Sequence, residues 1–132
     1  MRKNRLIIFN YIYIIAILIL ASIFITTWLT KTPSIFGFRP MFVMSESMEP
    51  VIEKYQFILA VTVDKNELKV GDIVGIKAPK DENALTTKLV VHRIIGINED
   101  GTFILKGDAN PSSLYYETNV TAEEILYKVI CY

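Results

Sequence analysis

The sequence predicts a mainly β protein, in which a single N-terminal transmembrane helix is followed by a small coiled-sheet domain. Three observations predict it. Residues 6–29 contain no charged side chain. After Ser34, short runs rich in Val, Ile, Phe and Tyr alternate with turn residues, the pattern of many short strands. The chain has 132 residues, 52% of them hydrophobic, which supports one modest core rather than two.

Residues 1–5 carry Arg2, Lys3 and Arg5 and read as a cytoplasmic N-terminus, because basic flanks stay on the cytoplasmic side. Residues 6–30 read as the anchor. The uncharged run would extend roughly 36 Å at ~1.5 Å per residue, enough for a hydrocarbon core of about 30 Å. Tyr11, Tyr13 and Trp28 suit the interfaces. A cleaved signal peptide shares the basic start, but its apolar core is only ~7–15 residues long. Residues 31–40 read as a linker, opened by Lys31-Thr-Pro-Ser34. Ile35, Phe36, Phe38 and Phe42 fit either the headgroup region or the domain core.

Residues 41–132 read as an extracytoplasmic β-rich domain. Strands are expected over 55–63, 70–77, 88–97, 102–106 and 125–131. Asn98-Glu-Asp-Gly101 is a hairpin signal. Residues 80–87 are polar and read as an exposed loop. Thr121-Ala-Glu-Glu124 has capping-box spacing, which predicts a brief helical turn before the last strand.

Charge and composition exclude several functions. Net charge is zero, and from Ser34 onward ten Lys/Arg face fourteen Asp/Glu, so a clustered basic face for nucleic acid is not expected. One cysteine, Cys131, permits no intrachain disulfide. With one histidine and one cysteine, a nitrogen/sulfur metal site is not expected. No phosphate-loop motif is present, and no cofactor is implied.

The chemistry-bearing stretch is Ser45-Glu-Ser-Met-Glu-Pro50, just past the apolar run. A serine hydroxyl attacks poorly unless a base takes its proton. The single histidine, His92, sits in an apolar strand and is the natural base, since imidazole cycles protons near neutrality. A polar ring there needs a hydrogen-bonded partner. Asp108, in Lys106-Gly-Asp-Ala-Asn110 after the next strand, is a plausible one.

Together these stretches resemble the type I signal peptidases of the endoplasmic-reticulum type (peptidase S26B-like), a branch also found in archaea and Gram-positive bacteria. Residues 44–50 resemble the nucleophile box, usually S-G-S-M-x-P. Lys69-Val-Gly-Asp-Ile-Val74 resembles a second box, Val91-His-Arg-Ile-Ile-Gly96 the base box, and Lys106-Gly-Asp-Ala-Asn110 the last. The main bacterial branch has Lys-Arg where this chain has His92-Arg93.

The resemblance implies a signal-peptidase-like coiled-sheet fold. It makes Ser47 the nucleophile, His92 the general base and Asp108 its support. The Ser45 hydroxyl and the Ser47 N–H would bind the oxyanion, and Met48 would line the substrate groove or, equally, pack in the core. It further implies preproteins bearing signal peptides as substrates, cut after small residues at −1 and −3. The lipid bilayer would be a partner, with a secretory translocon or accessory subunits alongside. The location would be the cell membrane, or the endoplasmic reticulum membrane in a eukaryote.

Three departures stand out. Glu46 replaces the usual glycine, and would be strained if that position needs positive φ. Pro111-Ser-Ser-Leu114 stands where many relatives carry a further aspartate. The chain stops at Tyr132, where many relatives continue into another hydrophobic segment, so it reads as either a short member or a truncated one. Two other readings compete. A sortase-like transpeptidase needs a supported Cys nucleophile, which Cys131 at the chain end does not offer. A catalytically inert, membrane-anchored binding subunit of a secretion complex is kept open by Glu46. Asn119-Val-Thr121 is a glycosylation sequon.

Overall fold

The computed structural model describes residues 2–30, 34–79 and 88–132. The chain divides into two compact units, Met1–Arg39 and Pro40–Tyr132. The first is dominated by helix α1 (Arg2–Thr30). Within it Ile7–Leu29 is 23 residues long with mean hydropathy 2.5, long and apolar enough to cross a membrane. Ile, Leu and Phe side chains are exposed over most of this helix, with Ile19, Ser22, Ile23 and Thr26 half-buried along one face. That is the expected surface of a helix whose solvent is lipid. Thr26 Oγ1 donates back to the Ser22 carbonyl at 2.8 Å and Thr27 Oγ1 to that of Ile23 at 2.7 Å, which satisfies two hydroxyls without water.

Six strands form one sheet: β1 (Phe38–Phe42), β2 (Phe57–Val61), β3 (Ile73–Lys77), β4 (Leu89–Ile97), β5 (Phe103–Lys106) and β6 (Ile125–Cys131), in the order β1-β2-β6-β3-β4-β5. The pairings β2–β6, β6–β3, β3–β4 and β4–β5 are antiparallel. Register shifts interrupt three of these ladders, between Leu59 and Ala60, Gly75 and Ile76, and Ile94 and Gly96. Such bulges increase local twist and coil a sheet. β1 lies across the end of the stretch read as linker, so that apolar segment pairs at the sheet edge. Phe36, Phe38 and Phe42 remain exposed, so these three rings do not enter the core.

β3 is the buried centre: Ile73, Val74 and Ile76 are at most 4% exposed. Alternate residues of a strand face opposite ways. Ile73 accordingly joins one apolar cluster with Met48, Ile52, Ile58, Tyr127 and Val129. Val74 and Ile76 join another with Ile94, Phe103, Leu105 and Val120. Gly75 is required by close approach, since an added Cβ would lie 1.9 Å from the Tyr127 ring.

The β4–β5 hairpin closes where expected, with Gly101 at φ +83° and its N–H donating to the Asn98 carbonyl at 3.0 Å. The Thr121–Glu124 capping contacts form, with Glu124 Oε2 accepting from Thr121 N at 2.8 Å and Thr121 Oγ1 at 2.9 Å. They close a single turn rather than a helix, because β6 begins at Ile125. The predicted loop at 80–87 lies outside the described residues.

Candidate active site

Ser47 is half-buried at the start of a turn that follows β1, where the Glu49 N–H donates to the Glu46 carbonyl at 3.1 Å and the Ile52 N–H to that of Met48 at 3.0 Å. Met48 anchors the turn. It is 0% exposed and packs in the core cluster. The resemblance placed it on the groove wall; its side chain instead points inward and is not among the cleft-lining residues. Below the turn the Ala109 N–H donates to the Ser47 carbonyl at 2.9 Å. This ties the serine to the bend after β5.

That bend admits Ser47 only because residue 107 is glycine. A Cβ there would stand 2.6 Å from the Ser47 carbonyl oxygen, 2.8 Å from Asn110 Nδ2 and 2.9 Å from His92 Nε2. Lys106 holds the bend from the other side, its Nζ donating to the carbonyls of Asn110 at 2.8 Å and Gly107 at 3.3 Å.

His92 lies mid-strand on β4, opposite Val74 of β3, and is 2% exposed. Its Nε2 is 3.0 Å from Ser47 Oγ. Its Nδ1 is hydrogen-bonded to Glu117 Oε1. Glu117 is 0% exposed, and its second oxygen accepts from the Leu114 N–H at 2.9 Å. A carboxylate at Glu117 would accept from Nδ1–H, the tautomer that leaves Nε2 to accept from the Ser47 hydroxyl. Ser45 Oγ, 3.1 Å from Ser47 Oγ, is then the donor in that pair.

Asp108 is elsewhere. Its two oxygens accept from Arg93 Nε at 2.8 Å and Arg93 Nη2 at 2.7 Å, a fork-to-fork pair. That hydrogen bond, more than the added charge, raises Arg93 above its ordinary value. Arg93 Nη1 also donates to the Gly71 carbonyl at 2.9 Å. Strand alternation is the reason for this arrangement. His92 and Arg93 are adjacent on β4 and point to opposite faces, so the carboxylate that meets Arg93 does not meet His92. The expectation that Asp108 supports the imidazole directly is therefore replaced by Glu117. Residues 69–74 are a scaffold for the same strand. Buried Asp72 takes the Lys69 N–H at 3.1 Å and pairs with Lys128 at 2.8 Å, and its carbonyl takes the Ile94 N–H at 2.8 Å.

Glu117 escaped the sequence reading. It ends a 3₁₀ turn (Tyr115–Glu117) within an irregular stretch. Two contacts return that stretch to the sheet. Phe103 and Val120 exchange backbone bonds of 2.7 and 2.9 Å, and Asn98 Nδ2 donates to the Thr118 carbonyl at 2.9 Å. One signal was available, because Glu117 is the first acid after Asp108.

Glu46 is not strained. Among the described non-glycine residues only Phe36 and Tyr55 have positive φ. The Glu46 carboxylate pairs with Lys54 at 2.8 Å, and that hydrogen bond, then the charge, lowers its pKa.

A mostly apolar cleft of about 650 Å³ runs past the pair. It is lined by Met41 to Ser45 and Leu89 to His92, with Leu114, Tyr116 and Tyr127 also in its wall. A hydroxyl, an imidazole and a buried carboxylate in line are the parts needed to activate a nucleophile. Among the described residues no cluster of His, Cys, Asp and Glu could hold a metal ion.

Residues 8–107 match the family described as signal peptidase, peptidase S26. Signal peptidase I W of Bacillus subtilis (strain 168) is 30% identical over 112 residues, which cover 79% of this chain and 56% of that protein. The chain thus spans little more than half the length of this curated relative. No solved structure matches. The extent of the family match, together with this relative, shows that the chain belongs to the peptidase S26 signal peptidase family.

Proposed function

We propose that this chain is a membrane-anchored serine endopeptidase that removes N-terminal signal peptides from secreted preproteins. The observation that carries the proposal is the hydrogen-bonded line from Ser47 Oγ through His92 to buried Glu117. In this reading Ser47 Oγ attacks the scissile carbonyl while Nε2 takes its proton. The Ser47 N–H and the Ser45 hydroxyl, the latter released from Ser47 Oγ as that oxygen bonds to carbon, would donate to the developing oxyanion, and such donors are commonly worth ~10²–10³ in rate. His92 then passes the proton to the leaving amine, the acyl-enzyme forms, and water completes the cycle with the same base. Glu117 holds the imidazole tautomer and balances the charge that forms on it.

The apolar cleft supports recognition of an extended peptide with small side chains at −1 and −3. Such groups bind weakly by themselves, and confinement of enzyme and substrate to one bilayer compensates by raising effective concentration. α1 would span the membrane with residues 1–5 in the cytoplasm and the sheet outside, where exposed Phe42 and Phe57, in edge-to-face contact at 5.6 Å, suit a headgroup surface. Histidine at position 92 favours the endoplasmic-reticulum-type branch. The unstrained Glu46 weakens the rival reading of an inert binding subunit.

The test is cleavage of a synthetic signal peptide by the full chain in detergent. Ser47→Ala and His92→Ala are each expected to lower kcat by ~10⁴-fold or more while the domain stays folded. Undiminished turnover by either variant would exclude that residue from the proposed role.

A further inference from the structure

The turn that presents Glu117 also forms part of the cleft wall. Leu114 and Tyr116 line the cleft that contains Ser45, Ser47 and His92. Glu117, the next residue, turns inward and is fully buried. Its carboxylate is divided between two partners: one oxygen meets His92 Nδ1, and the other takes the backbone N–H of Leu114 at 2.9 Å. Leu114 is 42% exposed, so its side chain is accessible to a cleft occupant while its backbone N–H fixes the carboxylate. Burial first, then the negative charge of Glu117, raises the Tyr116 phenol above its ordinary value, so that side chain too senses the carboxylate.

The turn is lightly built. Its three residues are closed by the Glu117 N–H on the Leu114 carbonyl at 2.9 Å, and short 3₁₀ turns have weak bond geometry. Its far end is fastened at Val120 to β5, and its near end is held through the two Leu114–Glu117 bonds, so a push on Leu114 is passed to the carboxylate. Of the nearby charges, Arg93 is held by Asp108 and Lys106 by the carbonyls of Gly107 and Asn110, while Lys88 lines the same cleft.

We infer that Leu114 and Tyr116 are substrate-contacting positioning residues. Apolar side chains of a bound peptide pack on them, and that packing, relayed through Glu117, holds the His92 ring in the seat it already occupies against Ser47. The inference rests on the proposed peptidase reading and extends it. Binding energy gained at this wall is then expressed in the rate of the chemical step and not only in affinity.

Steady-state cleavage of the synthetic signal peptide by the full chain in detergent tests it. Leu114→Ala and Tyr116→Ala should each lower kcat by about 10-fold or more with KM within about 3-fold. Tyr116→Phe, which keeps the ring, should restore most of the rate. In a Glu117→Gln background, Leu114→Ala and Tyr116→Ala should add little further loss, because the relay is already cut.

A second readout uses the fact that His92 is the single histidine. In Ser47→Ala, an uncleaved peptide should move the ring-proton resonances of the one imidazole, and Leu114→Ala should diminish that movement at saturating peptide. Losses confined to KM, equal fractional losses in both backgrounds, or an imidazole response indifferent to Leu114→Ala would overturn the inference. A wild-type chain that cuts no signal peptide would instead overturn the underlying reading.

Discussion

Asp108 and Glu117 both follow β5, and both carboxylates are hydrogen-bonded to neighbouring residues of β4, yet their environments differ. Asp108 is 17% exposed and grips Arg93. Glu117 is wholly buried and grips His92. The first pair staples a bend to the sheet with two charged hydrogen bonds. The second places one carboxylate where an imidazole would become positive in a transition state. Identical chemistry thus serves structure on one face of β4 and, in the proposed mechanism, catalysis on the other. The face each carboxylate meets decides which.

The sharpest way to break this comparison is Glu117→Gln. It keeps the shape and removes the charge, and should lower kcat by ~10³–10⁴-fold with little change in KM. If kcat instead falls less than about 10-fold, Glu117 is merely structural and the contrast with Asp108 collapses.

Gly107→Ala should come next, at ~10²-fold in kcat, because its Cβ would press on the Ser47 carbonyl and on His92 Nε2 and separate the two. An unchanged rate with unaltered thermal stability would mean the bend yields freely.

Asp108→Asn should show the opposite balance to Glu117→Gln. Stability should drop by about 1–2 kcal/mol in denaturant melts, since a partly buried charged pair is broken. kcat should stay within about 10-fold. A larger loss of rate with intact stability would move Asp108 back into the catalytic machinery.

The smallest effect is expected at Glu46→Gly, within about 3-fold in kcat/KM, because an exposed pair with Lys54 contributes little. Sign is informative there: the lowered pKa of Glu46 means its pairing operates above the ordinary carboxylate range and fades as pH falls through the folded value. Any difference from Glu46→Gly should therefore shrink in acid and in high salt. A difference that persists in both would require a contact other than the ion pair.

The strand segments and the apolar helix were legible because they depend on short-range patterns: branched and aromatic runs, Gly101 in its hairpin, and an uncharged stretch of bilayer length. β1 was missed because Phe38-Arg-Pro-Met-Phe42 has a proline and an arginine among its aromatics and pairs only at an edge. Met48 was ambiguous because nothing in a motif says whether its apolar member faces the cleft or the core.

What the sequence determined by itself is a chain with one membrane-length helix, a β-rich remainder, one histidine, and a serine motif in the order of a known family. Only the tertiary structure decided which carboxylate meets that histidine. Side-chain partners across a sheet depend on which face each residue takes and where an irregular segment returns to the ladder. Strand parity turns Arg93 away from His92, and the Phe103–Val120 bridge brings Glu117 back beneath it. Neither consequence is visible in the spacing between Asp108 and Glu117 along the chain, because both arise from closure of the fold.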